Sequence, residues 1–302
     1  MSDAPQTFVV DGESHRLRLD RFVAKVRPDL GRHAIARLLR TGGVTAGGRA
    51  RDARHFVRRG ETVTLQTQPI LPTEPPRVLS RSPHAVALAK PPFVSTNPTS
   101  SPGGSLLDWV AGHLAGSADH PPGVVHRLDR ETSGLVLFSL SPFGHRLLLD
   151  AFRERVLRKT YVALVGGALR PRHGVIDRPL AGRGGRSIPD DTGGSPARTD
   201  YRSLIATRRW SLLAVRPITG RTHQIRVHLA AVGHPIAGDP SYGDPRHAAL
   251  GAPRLWLHAS RIDLDEDLAR ALALPSRLLC PLWDDLARHL ARLAPGYEAR
   301  NT

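Results

Sequence analysis

The middle of the chain carries the stretch HRLDRETSGLVLF, residues 126–138, in which a charged cluster runs directly into four large apolar residues. The apolar run predicts a buried strand, so the carboxylate of Asp129 should lie at the edge of a hydrophobic core. Arg127 and Arg130 flank Asp129, and nearby positive charge lowers the pKa of a carboxylic acid. An ionised carboxylate at a rigid site is either a structural ion-pair partner or a nucleophile. These residues alone favour the structural role.

A second polar cluster, GRTHQIRVHL at residues 220–229, lies further along the chain. Ile225 and Leu229 are spaced as on one face of a helix, and the arginine and histidine side chains supply hydrogen-bond donors. A metal site is not expected, because His223 and His228 are five residues apart, the wrong offset for one helical face, and no Cys or Glu completes a ligand set. The sequence also lacks a glycine-rich phosphate loop and a Gly-x-Ser-x-Gly motif.

Hydrophobic periodicity predicts strands and helices around the two clusters. The predicted strands are at residues 84–89, 135–138, 159–165 and 254–259, with a hairpin over 201–215. The predicted helices are at 106–114, 141–158 and 282–294, the first capped by Ser105 and the second by Ser141. Residues 181–198 are rich in Gly, Ser and Asp without periodicity, so we expect a long, mobile surface loop there.

Residues 15–68 are expected to form a separate small module. Helical spacing predicts two helices, at residues 17–26 and 34–39. Short β-type runs predict strands after them, at residues 44–46 and 62–65. The second helix would carry Arg32, Arg37 and Arg40 on its outer face. These side chains either contact RNA phosphate or form a solvated charged surface.

An extended linker is expected at residues 69–79, where four prolines fall close together. Proline cannot donate the backbone hydrogen bond that a helix or a central strand needs. A second, larger domain then spans residues 80–300.

The chain of 302 residues is 40% hydrophobic and has a net charge of +16, which predicts a globular protein with nucleic acid as its partner. Cys280 is the only cysteine, so an internal disulfide is impossible, as suits a reducing compartment. The N-terminus lacks the pattern of a signal peptide. The sequence has no run of about 18 apolar residues, so no membrane-spanning helix is predicted. We therefore expect a cytoplasmic protein that does not associate with membranes.

The polar clusters and their surroundings resemble the RluA-type pseudouridine synthases over residues 80–262. The stretches that carry the resemblance are KPP (90–92), HRLDRETSGLVLFS (126–139), RKTYVALV (158–165), GRTHQIRVHLAAVGHPIAGDPSYG (220–243) and RLWLHA (254–259). The resemblance implies an α+β fold whose catalytic domain is built on a mixed, mostly antiparallel sheet. The stretches RLDRFVAK, GRHAIARLLRTGGVTAGGR and VRRGETVTL, between residues 18 and 65, resemble the S4 RNA-binding domain, which implies a small αα-β module.

The resemblance also implies roles for individual residues. Asp129 matches the catalytic aspartate of the family, Tyr161 the tyrosine that stacks on the target base, and Arg226 the arginine that pairs with the aspartate. Arg127 is expected beside the flipped nucleotide. Further substrate contacts are expected from Arg221, His223, Gln224 and Leu229, and RNA contacts from Arg32, Arg37, Arg40 and Lys90.

The implied activity is isomerisation of uridine to pseudouridine in structured RNA, which breaks the N1–C1′ bond and joins C5 to C1′. The reaction is internal, so it needs no cofactor. The family's proposed routes use the carboxylate as a nucleophile at C1′ or as a base at C2′, and the sequence leaves both open. Large-subunit ribosomal RNA is the expected substrate, with transfer RNA as the alternative. A non-catalytic RNA-binding or ribosome-assembly factor is the rival outside the enzymes, and no obligatory protein partner is evident.

Overall fold

The structure is a computed structural model that describes residues 6–31, 35, 38–39, 44–51, 53–65, 74–98, 105–114 and 120–297. The chain divides into two compact units, Met1–Thr73 and Glu74–Thr302. The division falls inside the proline-rich segment that is predicted to be a linker. Assignment of the two units as an RNA-binding module over 15–68 and a catalytic domain over 80–300 stays a prediction.

The first unit contains a four-stranded antiparallel sheet and helix α1. Its described elements are β1 (Gln6–Val9), α1 (Leu19–Val26), β2 (Val44–Ala46), β3 (Arg49–Ala50) and β4 (Thr62–Leu65), in the strand order β1-β4-β2-β3. Helix α1 buries Leu19 and Phe22 in one core with inward-facing residues of the strands. Arg32, Arg37 and Arg40 lie outside the described residues, so the S4-like assignment and these RNA contacts stay predictions.

The second unit combines strands with helices. Its elements are β5 (Arg77–Arg81), β6 (Ala85–Lys90), α2 (Leu106–His113), β7 (Gly123–Val124), β8 (Ser133–Ser139), α3 (Pro142–Arg153), β9 (Arg158–Gly166), β10 (His173–Asp177), β11 (Leu180–Arg183), β12 (Arg186–Pro189), β13 (Arg198–Ala206), β14 (Trp210–Pro217), α4 (Gln224–Ala231), a 3-10 helix (Pro245–Leu250), β15 (Leu257–Asp263), α5 (Glu266–Leu272), β16 (Arg277–Leu279) and α6 (Asp284–Leu293).

Ten strands of this unit form one large sheet. Its main order is β10-β13-β14-β9-β15-β8-β6-β5, with β7 beside β8 and β16 beside β15, while β11 and β12 form a separate hairpin. Within the described residues, every pairing in the large sheet is antiparallel except that of β8 with β15. The predicted α+β class with a mixed, mostly antiparallel sheet is confirmed.

Apolar cores cover both faces of the large sheet. Every residue of β6 and β8 is buried, and alternate residues of each strand enter two different cores. Helices α2, α4 and α6 pack into one core, and α3 and α5 into the other. In the part of the chain that the structure describes, no helix is long and apolar enough to cross a membrane.

Two predictions about this unit are wrong. Residues 77–79, assigned to the linker, belong to β5, because their backbone pairs with β6 inside the sheet. Residues 181–198 are not one continuous loop, since they contain most of the β11–β12 hairpin. Gly184 and Gly185 both have positive φ, 56° and 77°, which forms the two-residue turn that reverses the chain. The glycine-rich composition of this segment therefore marks a tight turn.

Gly134, the last residue of the HRLDRETSG stretch, lies where β8 meets both of its neighbours. It pairs with Lys90 of β6 on one side and with Ala259 of β15 on the other. Its φ is 120°, a conformation that disfavours residues with a side chain. An added Cβ atom would lie 2.3 Å from the carbonyl oxygen of Ala259. The close approach of β8 and β15 therefore requires glycine here.

Replacing Gly134 by alanine is expected to lower the free energy of unfolding by at least about 2 kcal/mol, because the methyl group adds backbone strain and a clash with β15. Gly112→Ala is the matched control. Gly112 lies in α2 with open space around it, so alanine there should stabilise the protein by about 0.5–1 kcal/mol. Urea denaturation followed by circular dichroism measures both variants. Wild-type stability of Gly134→Ala would contradict this account of the strand contact.

Candidate active site

Asp129 lies on the loop between β7 and β8, and hydrogen bonds hold the backbone on both sides of it. The hydroxyl of Thr96 donates to the carbonyl oxygen of Leu128 at 3.2 Å and accepts from the N–H of Leu128 at 3.1 Å. The N–H of Thr132 donates to the carbonyl oxygen of Asp129 at 3.1 Å. The carboxylate of Asp129 therefore projects from a fixed position.

Lys90 supports the same loop from inside the protein. Its side chain is fully buried, and its Nζ donates to the carbonyl oxygens of Pro91, Val94 and Arg130 at 2.9, 2.7 and 3.2 Å. Burial, and after it the charge of Arg254, lowers the pKa of Lys90 to about 7. A side chain enclosed in this way cannot reach RNA, so the prediction that Lys90 contacts RNA is wrong.

Arg226 of α4 is a second buried cation, and Asp239 is its main partner. The side chain of Arg226 is 1% exposed, and its Nε and Nη2 donate to the two carboxylate oxygens of Asp239, both at 2.8 Å. The Oδ1 atom of Asp239 also accepts from the N–H groups of Ser241 and Tyr242, at 2.8 and 3.0 Å. A forked pair of this kind fixes both the position and the plane of the guanidinium group.

The remaining nitrogen of Arg226, Nη1, faces Asp129. It donates to Oδ2 of Asp129 at 3.3 Å and lies 3.7 Å from Oε2 of Glu131. Burial acts to lower the pKa of Arg226, but the hydrogen bonds and charge of Asp239, and then the charges of Asp129 and Glu131, raise it above its ordinary value. Arg226 is therefore a permanent positive charge beside Asp129. Arg130, adjacent in sequence, instead donates from Nε to the carbonyl oxygen of Phe93.

His223 approaches Asp129 from the start of α4. Its φ of 54° is left-handed, and its Nε2 lies 3.9 Å from Oδ2 of Asp129. Its Nδ1 lies 3.0 Å from the hydroxyl of Tyr242, which accepts from the N–H of Ser187 at 2.9 Å. Burial lowers the pKa of His223 against the opposing charge of Asp129, which favours the neutral ring. A proton on Nε2 of the neutral ring would face Asp129 and leave Nδ1 to accept from the Tyr242 hydroxyl.

A pocket of about 100 Å³ opens beside Asp129. Tyr161 of β9 forms part of its wall and is 7% exposed. Burial, and after it the charge of Asp129, raises the pKa of Tyr161, so its phenol stays protonated. The pocket brings together seven predicted site residues, Arg127, Asp129, Tyr161, Arg221, His223, Gln224 and Arg226.

Two residues that are predicted to contact substrate, Gln224 and Leu229, make contacts inside the protein instead. Gln224 reaches the pocket wall, but its amide nitrogen donates to the carbonyl oxygen of Arg198 at 2.9 Å and its amide oxygen accepts from the hydroxyl of Thr219 at 2.6 Å. These bonds hold the loop that precedes α4. Leu229 is fully buried in the core and is not among the residues that line the pocket, so the prediction that it contacts substrate is wrong.

Asp239, Tyr242 and Lys159 also belong to the site, although none of them is a predicted site residue. Asp239 and Tyr242 lie in a turn-rich stretch, where Gly and Pro indicate backbone geometry rather than chemistry. Lys159 lines the pocket, and burial lowers its pKa. An acidic residue close after the arginine-bearing helix is the signal that could have identified Asp239 as the partner of Arg226.

The arrangement presents the carboxylate of Asp129 to a small pocket, with a permanent cation behind it and a neutral histidine beside it. A carboxylate fixed in this way can act as a nucleophile or as a base, and the ring of Tyr161 can form a stacking surface. Among the described residues, no group of three or more His, Cys, Asp and Glu side chains could hold a metal ion.

Asp239→Asn is expected to lower the free energy of unfolding by about 3–5 kcal/mol, because it leaves the buried guanidinium of Arg226 without its forked carboxylate. Asp285→Asn is the matched control. Asp285 forms a forked pair with Arg254, at 2.6 and 3.1 Å, but is 36% exposed, so water can compensate and the loss should be clearly smaller. Urea titrations measure both. A loss no greater than that of the control would contradict the role of Asp239.

Comparisons with known proteins agree with this geometry. Residues 84–231 match the family model described as RNA pseudouridylate synthase. An uncharacterized RNA pseudouridine synthase of Chloroflexus aurantiacus is 40% identical over 82% of this chain and 81% of its own. The ribosomal large subunit pseudouridine synthase D of Nitrosomonas europaea is 32% identical over 90% of this chain and 83% of its own.

The solved structure of human RNA pseudouridylate synthase domain containing 4 has a TM-score of 0.58 to this chain, with 26% identity, and the match covers 72% of this chain and 92% of the human chain. The region matched by the family model contains the loop of Asp129, strand β9 and the whole of helix α4, and with them every residue that lines the pocket except Leu257. The chain therefore belongs to the RluA-type RNA pseudouridine synthases, which are isomerases that act on RNA.

Proposed function

We propose that this protein converts uridine to pseudouridine in large-subunit ribosomal RNA, with Asp129 as the catalytic carboxylate. The observation that carries the proposal is the hydrogen bond from Nη1 of buried Arg226 to Asp129 at the edge of the pocket. Asp239 already compensates Arg226 through both of its oxygens, so Arg226 does not need Asp129 for its main ion pair. The side chain of Asp129 is 19% exposed and lines the pocket, which supports a role in chemistry.

The isomerisation has two routes in which Asp129 acts. As a nucleophile, its carboxylate attacks C1′ and uracil leaves with the electron pair of the N1–C1′ bond. After the base turns, C5 attacks C1′ and releases the carboxylate. As a base, Asp129 removes the C2′ proton while uracil leaves, which forms a C1′–C2′ double bond, and the proton returns to C2′ as C5 joins C1′. In both routes C5 loses a proton and N1 gains one, so no external reactant is consumed.

The other pocket residues are proposed to bind the nucleotide. Flipping the uridine out of its stack costs on the order of a few kcal/mol, and stacking on Tyr161 returns about 1–3 kcal/mol. Arg127 and Arg221 are proposed to contact the RNA backbone, which supplies the remaining binding energy. Uracil departs as an anion, so the cationic lining of the pocket stabilises the transition state.

Ribosomal RNA is proposed on two grounds. The relative from Nitrosomonas europaea, which aligns over most of both chains, is named for the ribosomal large subunit. The net charge of +16 suits a large polyanion. We further propose that the first unit is an S4-like RNA-binding module, with Arg32, Arg37 and Arg40 as phosphate contacts, and that the protein acts in the cytoplasm.

The proposal is tested by mapping pseudouridines in the RNA of cells that lack this gene, complemented with wild-type protein, Asp129→Asn or Glu131→Gln. Deletion is expected to remove pseudouridine from large-subunit ribosomal RNA, and wild-type protein should restore it. Asp129→Asn should lower the rate by at least about a hundredfold, because the amide is neither a nucleophile nor a base. Glu131→Gln should restore the modification, because Glu131 lies 3.7 Å from Arg226 but is not among the residues that line the pocket.

Each part of the proposal has its own contradicting result. Loss of pseudouridine from transfer RNA alone would overturn the ribosomal substrate. Restoration by Asp129→Asn at the wild-type level would overturn the catalytic assignment. Failure of Glu131→Gln equal to that of Asp129→Asn would mean that the local charge matters and that the Asp129 carboxylate has no special role.

A further inference from the structure

The β11–β12 hairpin ends in two arginines that face each other across a tight turn. Arg183 pairs with Arg186, and Gly184 and Gly185 form the turn between them. Like charges directly opposite each other destabilise an antiparallel pair. A side chain at either glycine or at Gly182 would meet open space, so this end of the hairpin is accessible to a ligand.

A groove of about 450 Å³ lies against this hairpin. Its lining includes Arg183, Arg186 and Arg221, and among the described residues that line it there is no acidic side chain. Arg221 and Thr222 line both this groove and the pocket beside Asp129. The groove is therefore an electropositive extension of the reaction pocket.

Hydrogen bonds fix the hairpin to the loop that carries the pocket residues. The hydroxyl of Ser187 donates to the carbonyl oxygen of Thr222 at 2.6 Å, and the N–H of Ser187 donates to the hydroxyl of Tyr242 at 2.9 Å. Arg221 donates from Nε to the carbonyl oxygen of Pro196 at 3.1 Å. The distance between groove and pocket is thus set by the fold, as a site for two adjacent parts of one ligand requires.

Within the described residues, no carboxylate lies within ion-pair distance of the guanidinium groups of Arg183, Arg186 or Arg221. By contrast, Arg178 and Arg198, on either side of this segment, both pair with aspartates. The Nη1 atom of Arg186 donates to the carbonyl oxygen of Ser241 at 3.4 Å. Unneutralised arginines facing one cavity are suited to an anion, and the fork of arginine matches phosphate.

We propose that the groove binds a phosphodiester group of the RNA backbone next to the uridine that enters the pocket. The inference rests on the proposed function, because it places the flanking nucleotide relative to the reacting one. The Arg183 and Arg186 pair holds the phosphate, and Arg221 at the shared wall links the two sites. Binding relieves the repulsion between the two opposed arginines.

The test compares Arg183→Gln/Arg186→Gln with Arg208→Gln/Arg209→Gln. The control removes the same charge from another hairpin turn of this unit, where both side chains are exposed. The probe is an oligoribonucleotide that spans the modified uridine, with and without neutral methylphosphonate linkages on either side of that uridine. Steady-state kinetics and binding at a series of salt concentrations are measured with both probes.

The groove variant is expected to raise KM about tenfold with kcat nearly unchanged, and to lower the salt slope of binding by about 0.7 for each phosphate that the protein no longer neutralises. A methylphosphonate beside the uridine should weaken binding to wild-type protein and to the control variant, but not weaken binding to the groove variant further. A groove variant that matches the control in KM and salt slope would overturn the proposal. So would an undiminished methylphosphonate effect in that variant.

The experiment separates this inference from the proposed function. If wild-type protein forms no pseudouridine in ribosomal RNA, the proposed function fails. The salt dependence of binding to large-subunit RNA fragments, compared between the groove variant and the control variant, then decides whether the groove contacts phosphate.

Discussion

One buried positive charge, the guanidinium of Arg226, determines the arrangement of the site. A charge removed from water costs several kcal/mol unless carboxylates compensate it. Asp239 does so through two hydrogen bonds of 2.8 Å, while Asp129 and Glu131 share the remaining nitrogen. Because Asp239 already compensates the buried charge of Arg226, the carboxylate of Asp129 can face the pocket. The ion pair that suggests a structural role for Asp129 is therefore compatible with a chemical one.

The large sheet brings together pocket residues that are far apart in sequence. Asp129 precedes β8, Tyr161 lies in β9, and β15 separates these two strands in the sheet. Gly134 permits β8 and β15 to approach, and Lys90 holds the loop of Asp129 through carbonyl oxygens. The pocket is thus built on central strands, so changes in their packing affect the geometry of the reaction.

Local patterns predict the elements well, and long-range pairing explains the failures. The Ser105 N-cap of α2 and the apolar strand β8 both follow from adjacent residues. The family motifs predict that Asp129, Tyr161 and Arg226 lie together, as they do around the pocket. The bond between Arg226 and Asp239 leaves no periodic signal. A lysine enclosed by carbonyl oxygens, such as Lys90, has the same sequence appearance as an exposed one. In the β11–β12 hairpin, turn glycines obscure the strand alternation.

The most direct test is the single-turnover rate of pseudouridine formation by Arg226→Gln at saturating RNA, measured where circular dichroism shows a folded protein. The rate should fall by at least about a hundredfold, because Asp129 loses the adjacent charge, while the Kd for RNA changes by less than about threefold. Arg254→Gln removes another buried arginine, one outside the pocket lining, and should keep the wild-type rate. A wild-type rate for Arg226→Gln, or a loss explained entirely by weaker binding, would contradict the account.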